Sequence, residues 1–577
     1  MDTSACLRRT QATSFLRHAP VLAALPEKLL EQLAGQVREV NVPAGSWILR
    51  EGDPADSMFI VASGRIEVIH EGPPETLLRV QRRGDVIGEL ALLQEGVRSA
   101  SARAQRDTEL LELGRAEFRS LIECAPSFAT GMARALAAQV AVSGGQCVSA
   151  SPPRMIAVVG LDGAAPTAEV GKTLADALGA HGSTVRLLSG DVPSIARAEK
   201  CSQRVVLVAP GQPREEWTRL CLSEADVVLA VSTGRPDPAW MMQVSALRGC
   251  ELLAIGAVAD EETLQILRPR EVQVVAEHLD RKVALDAMAR RLAGQALGIV
   301  LSGGGARALA HIGVLEELRA AGLRFDRVAG VSMGALIAAL AAMGLDGEEL
   351  YDVCLRGLVK KNPTGDFTLP AYSFIRGART RRLLHEVFGD RRIEELPLRF
   401  FSLSCDLIHG EAVVHRTGRL FDAVYPSLAI PGVFPPVSDG GGRLLVDGAV
   451  LDNLPASAMA DRGEGPVIAV DATGPQRQLK PAQRPLPTRI GRSVRRALTG
   501  SEQTIPRFTE TIVRSMTVGS TNSVAAAHLR ADLVITPAIE GIGLLDWKAI
   551  DRMRELGRDA ARKALDSDPG LLTRLGA

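Results

Sequence analysis

Between Ser46 and Val80, apolar and polar residues alternate in short runs at 46–49, 57–62, 65–70 and 76–80. Gly52, Gly64, Gly72 and Gly84 punctuate them at the spacing of strands and tight turns. Helical periodicity flanks these runs, at 27–37 before them and at 115–142 after them. The pattern predicts a small β-roll with helices at both ends over 19–142, followed by a Ser/Gly/Pro-rich linker at 143–153. From 154 to 286 the pattern changes: strand-like runs (MIAVVG, TVRLLSG, RVVLVAP, ADVVLAVS, ELLAIGAV) alternate with helical ones, which predicts an α/β domain with a parallel sheet. A third block, 295–577, opens with strand, glycine turn and helix (LGIVL, SGGGA, RALAHIGVLEELRAAG) and repeats that order in RVAG, VSMG, ALIAALAAMG. A segment rich in proline and glutamine, 474–487, reads as a surface loop.

The 577 residues make room for three or four domains. With 46% hydrophobic and 23% charged residues, the chain is neither disordered nor fibrous. Lys+Arg and Asp+Glu both number 67, a balance that gives no sign of nucleic-acid binding. None of the eight cysteines forms a C-x-x-C, which fits a reducing cytoplasm better than a disulfide framework. The first twenty residues hold no apolar stretch of signal-peptide length, and no run of about eighteen apolar residues occurs. The expected location is therefore cytoplasmic, with any membrane contact peripheral.

Gly330-Val331-Ser332-Met333-Gly334 fits G-x-S-x-G at a strand-to-helix turn. Such an elbow exposes a serine on a strained backbone and needs glycine on either side for close approach. Gly303-Gly304-Gly305 lies at the preceding strand-to-helix turn. Three glycines there leave backbone N–H groups uncovered, which suits a tetrahedral acyl oxyanion; the plainer reading is a tight turn or a phosphate loop. For a base, Asp447 ends a strand-like run, whereas Asp439 sits in a glycine cluster, and a strand end fixes a carboxylate better than a loop does. A Ser-His-Asp triad is the alternative, but only His528 follows Asp447 in the order of an α/β-hydrolase. His311, on the helix after the glycines, reads as a packing residue.

Taken together, Gly-Gly-Gly-x-Arg, G-x-S-x-G and Asp-Gly-Ala resemble the patatin-like phospholipases, as do His311 to Leu315 and Asp447 to Pro455. The subgroup most resembled is the neuropathy target esterase-like lysophospholipases, over nearly the whole chain. The resemblance implies an α/β/α sandwich in the third block and a Ser-Asp dyad that needs no metal, with Ser332 as nucleophile and Asp447 as base. Gly303, Gly304 and Gly305 would supply the oxyanion hole, and Arg307 would add positive charge beside it. It also implies a phospholipid or lysophospholipid substrate.

In the first block, Gly88-Glu89-Leu90-Ala91 opens a short helical run that ends at Arg98-Ser99. N–H groups at a helix start together with an arginine can hold a cyclic phosphate, and a glutamate can accept a ribose hydroxyl. These residues resemble the phosphate-binding cassette of cyclic-nucleotide-binding domains, which implies a cyclic nucleotide as regulator, acting by changing access to Ser332. Ser99 in place of threonine favours cAMP over cGMP. A domain that keeps this fold but has lost its ligand is the competing reading.

Two further features point elsewhere. Gly171-Lys172-Thr173 mimics the end of a P-loop, but Pro166 stands where the first glycine belongs and offers no N–H. Arg489, Arg492, Arg495 and Arg496 share one face of a helical pattern that could lie on an anionic membrane, or simply face solvent. The expectation is a multidomain serine acyl hydrolase regulated by a cyclic nucleotide; the alternatives are a nucleotide sensor with an idle hydrolase fold and a general carboxylesterase. Oligomeric state is not legible.

Overall fold

The computed structural model describes residues 26–125, 152–473 and 519–575, with short gaps inside each stretch, together with Leu16, Leu22 and Phe128. The 474–487 loop and the arginines of 489–496 lie outside the described residues. The chain divides into two compact units. One holds residues 1–150, 154–158 and 184–228, and the other holds 151–153, 159–183 and 229–577.

In the first unit, helix α1 (Glu27–Ala34) precedes eight strands: β1 (Arg38–Val42), β2 (Trp47–Leu49), β3 (Ser57–Ser63), β4 (Ile66–His70), β5 (Thr76–Gln81), β6 (Val86–Ile87), β7 (Ser101–Ala104) and β8 (Thr108–Gly114). Helix α2 (Glu89–Leu93) interrupts them, and α3 (Arg115–Cys124) follows. The strands form two antiparallel four-stranded sheets, ordered β1-β8-β3-β6 and β2-β7-β4-β5. Alternation along β8, with Leu111 and Leu113 buried and Glu112 only half-buried, points its apolar side at the core with Met58, Ile60 and Phe118. The predicted roll with flanking helices is thus present. Strands β1, β6, β7 and β8 lie outside the runs that the sequence pattern marked.

The middle block alternates strand and helix as predicted, and the unit boundary passes through it, crossing β9 (Met155–Gly160) after Val158. In the first unit β10 (Val185–Leu188) pairs in parallel with β11 (Arg204–Ala209). Strand β12 (Val227–Ser232) begins in the first unit and continues into the second from Leu229, where it, β13 (Glu251–Ile255) and β14 (Glu271–Val275) pair in parallel in that order. Gly171, Lys172 and Thr173 lie inside the helix Thr167–Ala180, not at its start, so their N–H groups are not open to a phosphate.

The catalytic block carries an eight-stranded sheet. Its strands are β15 (Gly298–Leu301), β16 (Arg327–Val331), β17 (Arg399–Asp406), β18 (Glu411–His415), β19 (Val437–Ser438), β20 (Leu444–Asp447), β21 (Val467–Val470) and β22 (Leu533–Ile535). The order is β19-β20-β17-β16-β15-β21-β22, with β18 also paired to β17. Strands β16, β15, β21 and β22 run parallel with one another, and β17 runs parallel with β16. Strands β18 and β20 run antiparallel to β17. The parallel strands are buried on both faces and read as continuous apolar runs. Helices α4 (Arg281–Ala293), α5 (Ala310–Ala320), α6 (Met333–Ala342), α7 (Ala378–Phe388), α8 (Leu420–Ser427) and α9 (Ile550–Asp566) accompany them. Every residue of α6 is buried, so this helix is a core element and not an amphipathic one. Among the described residues, no helix is long and apolar enough to cross a membrane.

A buried ionic cluster ties β13 and β14 to the catalytic sheet. Arg291 on α4 donates to Glu251 at 3.0 Å and to Glu464 at 3.3 Å, and Arg399 and Arg462 both meet Glu271. Burial opposes the Glu464 charge, but Arg291, Arg462 and Arg327 outweigh it and hold that carboxyl down at about 2.

Candidate active site

Strand β16 ends at Val331, and the chain turns sharply into α6. Ser332 takes φ 55° and ψ −130°, a strained conformation for a residue with a side chain. Only glycine fits on either side. A Cβ on Gly330 would lie 2.4 Å from the Gly334 carbonyl oxygen, and one on Gly334 would lie 2.3 Å from the Leu301 carbonyl oxygen. The Ser332 N–H donates to Ser427 Oγ at 2.8 Å, and the Ser427 hydroxyl donates to the Leu403 carbonyl at 2.7 Å. Ser427, at the end of α8, therefore fastens the elbow to β17. Sequence reasoning gave it no role, since a serine 95 residues away carries no motif.

Asp447 ends β20 with 1% of its surface exposed. Its carboxylate accepts the Ala449 N–H at 2.9 Å, and the Ser332 hydroxyl is near enough to favour its charged form. Burial pushes this carboxyl up to about 7, against the opposing pull of those two groups. Register brings the pair together. On β17, Leu403 pairs with Val331 of β16, and the next residue, Ser404, pairs with Asp447 of β20. Strand β18 spans Ser402 to Asp406 on β17 and so overlaps both partners. Strands β16 and β20 must therefore share the other edge, end to end, with Ser332 and Asp447 at the junction. The rival Asp439 is exposed and accepts the N–H groups of Gly441 and Arg443 in its own turn.

The glycine loop lies against this junction. A Cβ on Gly303 would be 3.0 Å from the Ser332 Cβ and 2.5 Å from Asn453 Oδ1. Gly303 donates its own N–H to the Asn453 carbonyl at 3.3 Å. Among the described residues, the N–H groups of Gly304 and Gly305 meet no partner outside the 3₁₀ turn that follows them. Arg307, expected to add positive charge beside the oxyanion, is bonded to backbone acceptors. Its Nε donates to the Ile542 carbonyl at 2.8 Å and its Nη1 to the Thr473 carbonyl at 3.0 Å, so the guanidinium fastens the loop to neighbouring backbone. Asn453, another residue without an expected role, closes the loop from the dyad side. Its Nδ2 donates to Thr473 Oγ1 at 3.3 Å, and its buried Oδ1 has no partner among the described residues.

Among the described residues, no histidine bonds to Ser332 or Asp447. His311 is buried and held neutral, its pKa lowered to about 4 by burial, and its Nε2 sits 2.9 Å from the Ser302 carbonyl behind the glycine loop. His528 pairs with Asp471 at 3.3 Å, and His415 bonds to Ser404 Oγ at 2.7 Å.

In the first unit, Gly88, Glu89, Leu90, Ala91, Arg98 and Ser99 line one pocket. Gly88 has φ 83°, and its bare Cα leaves room for Arg98, whose Nη1 donates to the Gly88 carbonyl at 3.0 Å. Arg98 is buried, and among the described residues its ion pair is with Asp56, at 3.5 Å. Glu89 is 1% exposed, and both carboxylate oxygens lack a partner among the described residues. A buried carboxylate without donors is costly, and a ligand hydroxyl would relieve it.

Comparison with known proteins finds a family profile over each of these two regions. A patatin-like phospholipase family profile matches residues 299–460, and a cyclic nucleotide-binding domain profile matches 39–124. An NTE family protein of Mycobacterium bovis is 34% identical over 98% of this chain and 98% of its own length. Lysophospholipase NTE1 of Yarrowia lipolytica is 26% identical over 95% of this chain and 47% of that protein. Human patatin-like phospholipase domain-containing protein 6 is 28% identical over 81% of this chain and 40% of that protein. The chain thus spans under half the length of these two relatives.

The raised Asp447 carboxyl makes a prediction about stability. Its folded value of about 7 lies above the unfolded value near 4, so ionising it in the fold costs free energy. That cost sets in as pH rises from about 4 to about 7 and is complete above it. Asp447→Asn removes it. Urea unfolding is expected to show the variant more stable than wild type by roughly 2–4 kcal/mol at pH 8, with the gap closing toward pH 4. Equal stability at both pH values would mean that the carboxyl is not desolvated.

Proposed function

The chain belongs to the NTE family, and from that premise we propose that it releases fatty acids from phospholipids or lysophospholipids with a Ser332–Asp447 dyad, under control of a cyclic nucleotide. It is a patatin-like lipid hydrolase that also carries a cyclic nucleotide-binding domain. We assign the regulatory domain to 19–142, a linker to 143–153, a linking domain to 154–286 and the catalytic domain to 295–577. The observation that carries the catalytic reading is a buried carboxylate brought by strand register beside a strained serine and two uncommitted backbone N–H groups.

In this mechanism Asp447 takes the Ser332 proton as Oγ attacks the ester carbonyl. The carbonyl oxygen, now negative, faces the Gly304 and Gly305 N–H groups, with Gly303 serving as the close-packed floor. The intermediate collapses, and the leaving alcohol takes the proton from Asp447. Water then gives a proton to the freed carboxylate and attacks the acyl-serine, and the acid leaves as Ser332 regains its proton. A base poised near 7 suits this alternation, because it can both take and give a proton at neutral pH.

For regulation, Arg98 and the backbone at Gly88 to Ala91 would hold a cyclic phosphate, and Glu89 would accept a ribose hydroxyl. Ser99 favours cAMP over cGMP. The enzyme would work in the cytoplasm, peripherally on the membrane that holds its substrate.

The direct test is fatty-acid release from lysophosphatidylcholine micelles by the full chain. Wild type is expected to release acid, and Ser332→Ala to lose at least about a thousandfold of the rate. No release by wild type, with cyclic nucleotide added, would favour another ester or a sensor whose hydrolase fold is idle. Calorimetric titration tests the second site. Wild type should bind cAMP more tightly than cGMP, and Arg98→Leu should weaken cAMP by about tenfold or more. No binding of either by wild type would leave the domain as a scaffold without a ligand.

A further inference from the structure

Residues 355–383 differ in charge from the rest of the chain. They hold seven basic residues, Arg356, Lys360, Lys361, Arg376, Arg379, Arg381 and Arg382, against the single acid Asp366, in a chain of zero net charge. All seven are exposed. Lys361 pairs with Glu386 and Arg356 lies 3.9 Å from Asp352, whereas Lys360, Arg376, Arg379 and Arg382 have no ion pair among the described residues.

The same segment presents apolar side chains to solvent. Phe367 bridges Ile375 in a short antiparallel pair, closed by Thr368 N–H to the Phe374 carbonyl at 2.9 Å and Arg376 N–H to the Asp366 carbonyl at 3.0 Å. Phe367 is 73% exposed and Leu369 is 89% exposed, the latter more than any other large apolar side chain among the described residues. The returning arm is pinned beside the dyad. Ile375 donates its N–H to the Val433 carbonyl and packs on Ala429, whose carbonyl accepts the Asp447 N–H at 3.0 Å. A second apolar tip, Leu407 and Ile408, stands at the turn after β17 and is 47% and 61% exposed. It begins three residues beyond Ser404, the partner of Asp447, which is roughly 10 Å along the strand.

Exposed phenylalanine and leucine on this backbone-bonded arm need an apolar partner, and the basic flank selects its charge. A second copy of the chain is a poor occupant, since two such faces would bring like charges together. A bilayer bearing anionic headgroups satisfies both demands at once, with acyl chains for the apolar tip and phosphates for the arginines and lysines. We propose that the paired arms 366–369 and 373–376 and their basic flank dock the enzyme on anionic phospholipid surfaces, with Phe367 and Leu369 entering at the headgroup boundary. This rests on the lipid-hydrolase reading, and it assigns the membrane contact to a part of the catalytic domain beside the dyad.

Full-length wild type and Phe367→Asp/Leu369→Asp can be compared by co-sedimentation with vesicles of phosphatidylcholine alone and of equal parts phosphatidylcholine and phosphatidylglycerol. Wild type is expected to bind the mixed vesicles about tenfold or more tightly than the neutral ones, with the difference shrinking in high salt. The double variant should lose at least about tenfold in binding to the mixed vesicles. Its kcat/KM on soluble p-nitrophenyl butyrate should stay within about twofold of wild type, since neither residue touches the dyad. Unchanged binding by the variant, or no anionic preference in wild type, overturns the docking surface while ester hydrolysis still stands. Intact binding with no hydrolysis of either ester or micelle overturns the hydrolase reading instead. Should the variant fail to fold, the lipid and salt dependence of wild type decides alone.

Discussion

Strand β17 aligns two other strands along one edge, and the dyad depends on that alignment. Leu403 fixes where β16 stops, Ser404 fixes where β20 stops, and β18 occupies the opposite edge across both positions. Ser332 and Asp447, the proposed nucleophile and base, therefore meet although they lie 115 positions apart in sequence. A slip of one residue in β20 would turn Asp447 to the other face of the sheet and part the pair. Ser427, bonded to both Ser332 and the Leu403 carbonyl, adds a third fastening at that spot.

That alignment sustains two unfavourable features. Ser332 is held at φ 55°, and Asp447 is held in a dry site where its charge is costly. The surroundings over-determine both. Helix α6 is buried along its whole length behind the elbow, and glycines at 330 and 334 let backbone touch backbone. Farther out, Arg291 joins Glu251 of the linking sheet to Glu464 beside the catalytic sheet. A buried cluster of this kind adds little net stability, but losing one partner strands a charge, so it is a hypothesis for this chain that the cluster fixes how the linking and catalytic sheets register.

Most of the catalytic site was legible because its requirements are backbone requirements. An elbow that forbids a Cβ and a loop that packs on the nucleophile both write glycine into the sequence, and a strand end marks Asp447. The cassette at Gly88 to Ser99 was legible for the same reason. What stayed hidden depends on where common residues come to rest. Nothing in a sequence says that Arg307 spends its guanidinium on the carbonyls of Ile542 and Thr473, or that Gly303 commits its N–H to Asn453. Asn453 and Ser427 are ordinary polar residues brought in by tertiary packing. Strands β1, β6, β7 and β8 were missed because the alternation was read only between Ser46 and Val80, and all four lie outside it. The Gly171-Lys172-Thr173 decoy fell to its proline, and the structure adds that it lies within a helix.

The central claim is that Asp447 alone activates Ser332. It is tested most directly by the rate at which a fluorophosphonate labels the intact protein, read by mass spectrometry across pH. The account predicts a single adduct on Ser332, a labelling rate that rises through a pKa of about 7, and loss of that rise in Asp447→Asn. An adduct elsewhere, or labelling of Asp447→Asn at the wild-type rate with the same pH profile, would contradict it.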